Sequence, residues 1–149
     1  MIVVDSFGWI EWLTEGPLTD KYAEYLRSSN EVITPVVIVY EVYKKLKQAL
    51  NEESALRMVA RLHETKIVPI TPDLALFAAD VSLRHKLPMA DALVYATALS
   101  EKCSVVTSDP HFERLEKVIF LTLPTTKVGG FSVHRRSQCS CSLKALPEP

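Results

Sequence analysis

The sequence has 149 residues and a mass of 16.7 kDa, with 48% hydrophobic and 23% charged residues, the size and balance of one globular domain with a real core. Its formal net charge is −1, so no global positive field points to a nucleic-acid partner, although a small enzyme can carry its positive charge in bound ions and local patches. No apolar run reaches the ~20 residues of a bilayer span, and Asp5 and Glu11 interrupt the first apolar stretch with no basic leader before it, which predicts a cytoplasmic protein.

Short β-branched runs alternate with longer helical stretches along the chain. Ile2–Val4 reads as a strand, followed by helices over Gly8–Leu13 and Lys21–Ser28. Glu31–Thr34 is the second predicted strand. Thr34 before Pro35 reads as a side-chain N-cap with a first-turn proline, opening a helix over Val36–Leu50. The run VVIVYEVY in that helix has strand character, but the spacing of Val42, Tyr43, Leu46 and Leu50 favours one helical face. Asn51 before two glutamates marks another helix start, predicted to run over Glu53–Thr65. The third strand is Lys66–Ile70. Thr71 then Pro72 repeats the capping device for a helix to Lys86, with Leu74, Phe77, Ala78 and Val81 on one buried face. Helix Met89–Lys102, strand Ser104–Thr107, helix Pro110–Glu116 and strand Val118–Leu121 complete the pattern. This alternation predicts an α/β fold with a central, mostly parallel sheet flanked by helices.

From Pro124 onward the character changes to PTTKVGGFSVHRRSQCSCSLKALPEP, with paired glycines, many serines and no periodicity. Residues 124–149 read as a flexible C-terminal tail, native or foreign to the domain, and no chemistry is assigned to its Arg135–Arg136 pair. Cys103, Cys139 and Cys141 are too few and too badly placed for a disulfide framework or a zinc site, and the C-x-C pair is a weak metal signal. With only Gly8, Gly16, Gly129 and Gly130, no G-x-G-x-x-G or Walker A loop can be built, and no G-x-S-x-G elbow is present.

Ligands of an open parallel sheet bind beyond the carboxyl ends of its strands. Asp5 ends the first predicted strand and Asp109 follows the fourth, so both lie at that edge. Crossover helices run back antiparallel, so their N-termini return to the same edge. Asp91 falls in the first turn of LPMADALVYATAL, and Glu41 lies about 9 Å along the axis from Pro35 at 1.5 Å per residue. Each acid also has a local reading. Asp5 and Asp109 could cap helices, Asp91 could serve the helix dipole, and Glu41 could pair with Lys45 on a solvated face. Four converging carboxylates are harder to explain locally. Two of them ~6 Å apart repel by roughly 3 kcal/mol at an effective dielectric of about 20, so the set needs protons or cations. Oxygen-only donors suit Mg²⁺ or Mn²⁺, and the lack of a His/Cys cluster argues against catalytic zinc.

These residues, in this order, resemble a PIN-domain ribonuclease of the VapC toxin type, over about Met1 to Leu123. The resemblance rests on VVDSF, on the Glu within TPVVIVYEVYKKL, on PMADALVYATAL and on VVTSDPHFERL. It implies a three-layer fold for a nuclease domain over residues 1–123, with Asp5, Glu41, Asp91 and Asp109 as the acidic quartet that binds Mg²⁺ or Mn²⁺. Ser6 and Thr107 match the supporting hydroxyl positions. The implied activity is metal-dependent cleavage of RNA phosphodiester bonds by a water nucleophile, in a homodimer, with a cognate antitoxin as protein partner. Within the quartet Asp5 is expected to be central and Asp109 peripheral. Lys44, Lys45 and Lys47, and Arg84, His85 and Lys86, read as solvated faces or as phosphate contacts; Trp9, Ile10, Trp12 and Leu13 read as core or partner packing. The alternatives are a housekeeping RNA-processing nuclease and a catalytically silent acidic interaction module. A receiver- or dehalogenase-like phosphotransfer domain would need a second Asp near the first, which DSFGW lacks.

Overall fold

The structure, a computed structural model, describes residues 1–123. The elements are β1 (Ile2–Val4), α1 (Ser6–Leu13), α2 (Thr19–Leu26), β2 (Val32–Pro35), α3 (Val36–Ala49), α4 (Glu52–Val59), β3 (Lys66–Val68), α5 (Pro72–His85), α6 (Met89–Ser100), β4 (Ser104–Thr107) and β5 (Val118–Phe120). The five strands form one parallel sheet in the order β3-β2-β1-β4-β5, flanked by helices. Its central strands are apolar without alternation because both faces are covered. Val3, Val4, Val32, Ile33, Val105 and Val106 are all fully buried. The order of strands reverses at β1: the chain builds β2 and β3 on one side and β4 and β5 on the other. In such sheets the crevice lies at this switch point, and Asp5 leaves β1 directly into it.

Local chemistry accounts for several helix starts. Thr71 accepts a hydrogen bond from the Leu74 N–H at 3.2 Å, and Asn51 accepts one from the Ser54 N–H at 2.8 Å. The Val36–Ala49 segment is helical, with Val42 and Leu46 buried as the spacing predicts. Thr34 does not cap it. Thr34 belongs to β2, and its hydroxyl is hydrogen-bonded to Thr65 Oγ1 at 2.7 Å, while Pro35 occupies the N-cap position.

Two predicted helices are much shorter than expected, while those ending at Leu50, Lys86 and Lys102 stop one or two residues early. The segment 53–65 divides into α4 and a 3₁₀ turn, Leu62–Glu64, which buries Leu62 and lets the Thr65 hydroxyl donate to the Leu62 carbonyl at 2.7 Å before β3 begins. Pro110–Glu116 contains only the 3₁₀ turn Pro110–Phe112. The chain must then reach β5, entered through Lys117 at φ 55°, whose carbonyl accepts from the Val105 N–H at 2.9 Å. Strand ends also move by one or two residues, β3 stopping at Val68 and β5 at Phe120, and α1 begins at Ser6, ahead of Gly8.

Trp9 is 2% exposed and stacks edge-on with Trp12 at 5.8 Å, so this stripe is core packing. Cys103 is buried with a free thiol. Cys139, Cys141 and the tail reading fall outside the described residues. No helix among the described residues is long and apolar enough to cross a membrane.

Gly8 is required by close approach. A Cβ there would collide with the Tyr22 ring and stand 2.7 Å from Val4 Cγ1, where α1 packs on α2 and β1. Gly8→Ala is expected to lower unfolding stability by about 1–3 kcal/mol, the usual cost of overpacking. A urea midpoint unchanged from wild type would show that Tyr22 can move aside.

Candidate active site

Each of the four acids reaches the carboxyl edge of the sheet by its own route. Asp5 follows β1 immediately, at the N-cap position of α1, and makes no side-chain capping hydrogen bond there. Asp109 lies two residues past β4 and its Oδ1 accepts the His111 N–H at 2.9 Å, so its capping role is real. Asp91 is in the first turn of α6. Glu41 projects from the second turn of α3 and forms no ion pair with Lys45 among the described residues.

The β1–β4 register, Val4 opposite Val106, sets the next residues of both strands side by side. The Thr107 hydroxyl therefore donates to Asp5 Oδ2 at 3.1 Å and accepts the Asp109 N–H at 2.9 Å. One fully buried threonine thus ties the Asp5 carboxylate to the Asp109 backbone, 104 positions away in sequence. Tyr22 donates its hydroxyl to Ser108 at 2.9 Å, which ties the same loop to α2.

Burial makes this pocket expensive to charge. The Asp5 carboxyl, 2% exposed, is pushed up to about 7 by desolvation. The Ser6 N–H and the Thr107 hydroxyl pull it down, and the charges of Asp91 and Glu41 raise it further. Glu41 is raised by burial, lowered by the Ser6 hydroxyl, and raised by the charges of Asp91 and Asp109. Asp91 is raised by burial and then by the charge of Asp109, with the His111 ring offsetting part of this. The four acids are therefore electrostatic neighbours, linked through Asp91 to one another. Asp109, expected at the periphery, is 8% exposed and shares the His111 Nδ1 with Asp91.

His111 is the residue that sequence reading missed. It sits inside TSDPHF, and its only sequence signal is a position two residues after Asp109. Its Nδ1 lies 2.9 Å from Asp91 Oδ2 and 3.3 Å from Asp109 Oδ1. Asp91 Oδ2 is a buried oxygen with no hydrogen-bond partner. Leaving a charged group unsatisfied costs more than the ~1–3 kcal/mol of a neutral one, and a cation removes that cost. Carboxylates with one such orphaned oxygen fit a hard divalent ion, and Asp91, Asp109 and His111 offer ligand atoms within 4.8 Å of one another.

If Thr107 orients a metal-binding carboxylate, Thr107→Val should weaken Mn²⁺ binding by about 10- to 100-fold, the scale of outer hydrogen-bond partners of metal ligands. Thr107→Ser should restore it. Equal calorimetric affinities for all three proteins would show the hydroxyl to be idle.

A protein-family model described as PIN domain matches residues 2–118. No curated protein matches the sequence. Among solved structures, the chain is similar to a toxin–antitoxin complex from Klebsiella pneumoniae, at 18% identity and a TM-score of 0.69, over 80% of this chain and 96% of that one. It is similar to VapBC2 from Rickettsia felis, bound to a DNA fragment from its promoter, at 14% identity and a TM-score of 0.64, over 81% and 98% of the two chains. It is also similar to VapC20 from Mycobacterium tuberculosis, a sarcin-ricin loop cleaving toxin, at 18% identity and a TM-score of 0.60, over 70% and 87%. At these identities the likeness is one of fold.

Proposed function

The chain belongs to the PIN domain family, and from that premise we propose that it is a divalent-metal-dependent endoribonuclease, the toxin of a toxin–antitoxin pair. One observation carries the reading: Asp5, Glu41, Asp91 and Asp109 come from separate stretches of chain and meet at one sheet edge, close enough that the charges of Asp91 and Glu41 raise the Asp5 carboxyl and that of Asp109 raises both Glu41 and Asp91. The solved neighbours support the remaining parts, since one is named as a toxin–antitoxin complex, one as VapBC2 bound to a promoter DNA fragment and one as a sarcin-ricin loop cleaving toxin.

In this reading Asp5 is the central ligand, Glu41 and Asp91 hold one side, and Asp109 completes the set. When bound, Mg²⁺ or Mn²⁺ supplies the charge that lowers the pKa of a water and stabilises the leaving oxygen. The chain's own residues supply orientation. Thr107 fixes Asp5 and the Asp109 backbone, and Ser6 supports Glu41. Lys44, exposed beside Glu41 and near enough to lower its carboxyl, is placed to meet a phosphate. Lys47 is engaged by Glu52 at 2.9 Å, so it contributes less. A homodimer would use the outer face of α5, where Leu76 and Leu83 are exposed opposite buried Ala78 and Val81. An antitoxin would lie in the apolar groove of ≈ 380 Å³ between α3 and α4, lined by Val36, Tyr40, Leu56 and Val59. The site of action is the cytoplasm, where RNA is available.

Incubation of the purified chain with structured RNAs tests the enzymatic claim. Cleavage is expected with Mn²⁺, and neither in chelator nor with Asp91→Asn. Turnover that survives in either control would contradict the mechanism. Expression should arrest growth, with relief by the product of a small neighbouring open reading frame. Full nuclease activity without arrest would favour the RNA-processing role.

A further inference from the structure

The His111 ring is 57% exposed, so packing does not hold it over the carboxylates. Its Nδ1 nevertheless stands 2.9 Å from Asp91 Oδ2 and 3.3 Å from Asp109 Oδ1. The short contact is not an aligned hydrogen bond, because Asp91 Oδ2 has no partner. Adjacent ligands of one octahedral ion show this geometry. With bonds of ~2.1 Å they are about 3 Å apart, and each lies some 45° off the other's lone-pair axis, too oblique for a good hydrogen bond.

We propose that His111 is a metal ligand, giving one imidazole nitrogen to the ion held by Asp91 and Asp109, and that it biases the site toward first-row transition ions over Mg²⁺. The proposal rests on the reading that this pocket holds a divalent cation. A carboxylate-only pocket suits Mg²⁺, which is hard and keeps its waters. An imidazole adds little for that ion and progressively more along the series from Mn²⁺ to Co²⁺ and Ni²⁺. The residue therefore sets metal preference without displacing any of the four acids. Its position in the turn Pro110–Phe112 supports this, since Asp109 caps that turn through the His111 N–H and so ties the backbone that carries the imidazole to its own carboxylate.

Binding and spectroscopy on the full chain separate this from the broader reading. Pulsed EPR of bound Mn²⁺ should show hyperfine coupling to one imidazole ¹⁴N in wild type and none in His111→Ala. Calorimetry should show Co²⁺ affinity falling about 10- to 100-fold in His111→Ala, Mn²⁺ less, and Mg²⁺ least. Asp91→Asn should weaken all three ions. If His111→Ala binds every ion as wild type does while Asp91→Asn binds none, His111 is only a neighbouring charge and the ligand proposal is overturned, with the metal pocket intact. Nitrogen coupling that is absent in wild type, or that persists in His111→Ala, overturns it as well. A wild type that binds no ion overturns both.

Discussion

Asp5→Asn is expected to have two large and opposite effects. Metal-dependent RNA cleavage should fall by at least about 10²–10³-fold, the scale seen when one group of a preorganised electrostatic site is removed. The metal-free protein should meanwhile become more stable at neutral pH. The Asp5 carboxyl rises from its ordinary value of 3.8 to about 7 because burial penalises its charge. The folded state therefore holds this proton more tightly than the unfolded chain. Its contribution to stability is full below pH 3.8 and is lost as pH rises through about 7. Three units at 1.36 kcal/mol each give an upper bound of about 4 kcal/mol. Asparagine cannot charge and can still accept from Thr107, so the variant should gain on the order of 2–4 kcal/mol at pH 8 in chelator, and nothing near pH 3. Urea unfolding of both proteins across that range measures the difference directly. A variant less stable than wild type at every pH would mean that the Asp5 charge is already satisfied within the fold.

Phe112→Ala is expected to be the most damaging change outside the acids. Phe112 is fully buried at the end of the 3₁₀ turn and meets Tyr95 edge-on, with ring centroids 6.5 Å apart. Tyr95 in turn donates to the Glu116 carbonyl at 3.0 Å. Phenylalanine-to-alanine changes in cores cost about 3–5 kcal/mol, a large part of the ~5–15 kcal/mol that holds a domain together. The melting temperature should fall on the order of 10 °C. Because the turn carries Asp109 and His111, Mn²⁺ affinity should fall as well, even below the melting range. Phe112→Leu should recover most of both. A loss under about 1 kcal/mol would show that the turn is held by its backbone alone.

Much of this was legible in the sequence for identifiable reasons. The strands of a doubly covered parallel sheet need no alternation, so VV, VIT and SVVT stand out as short apolar runs. Thr71 and Asn51 act within three residues of themselves, and local chemistry finds them. The convergence of Asp5, Asp91 and Asp109 was readable because parallel topology dictates which ends of helices and strands share an edge. Non-local facts were not readable. Thr34 has the sequence of a cap, yet its hydroxyl is taken by Thr65, brought alongside by the pairing of β2 with β3. The breaks after Val59 and Phe112 come from where β3 and β5 must begin. The height of the Asp5 carboxyl depends on how deeply the pocket is buried, and the His111 position on how tightly one turn winds around Asp109.

The central claim is that carboxylates from distant parts of the chain form one pocket that takes up divalent cations. Anomalous diffraction from crystals soaked in Mn²⁺ addresses it most directly. Density bounded by Asp5, Asp91 and Asp109 is expected in wild type, and its loss in crystals of Asp5→Asn. Density elsewhere on the surface, or none at this edge of the sheet in wild type, would contradict it.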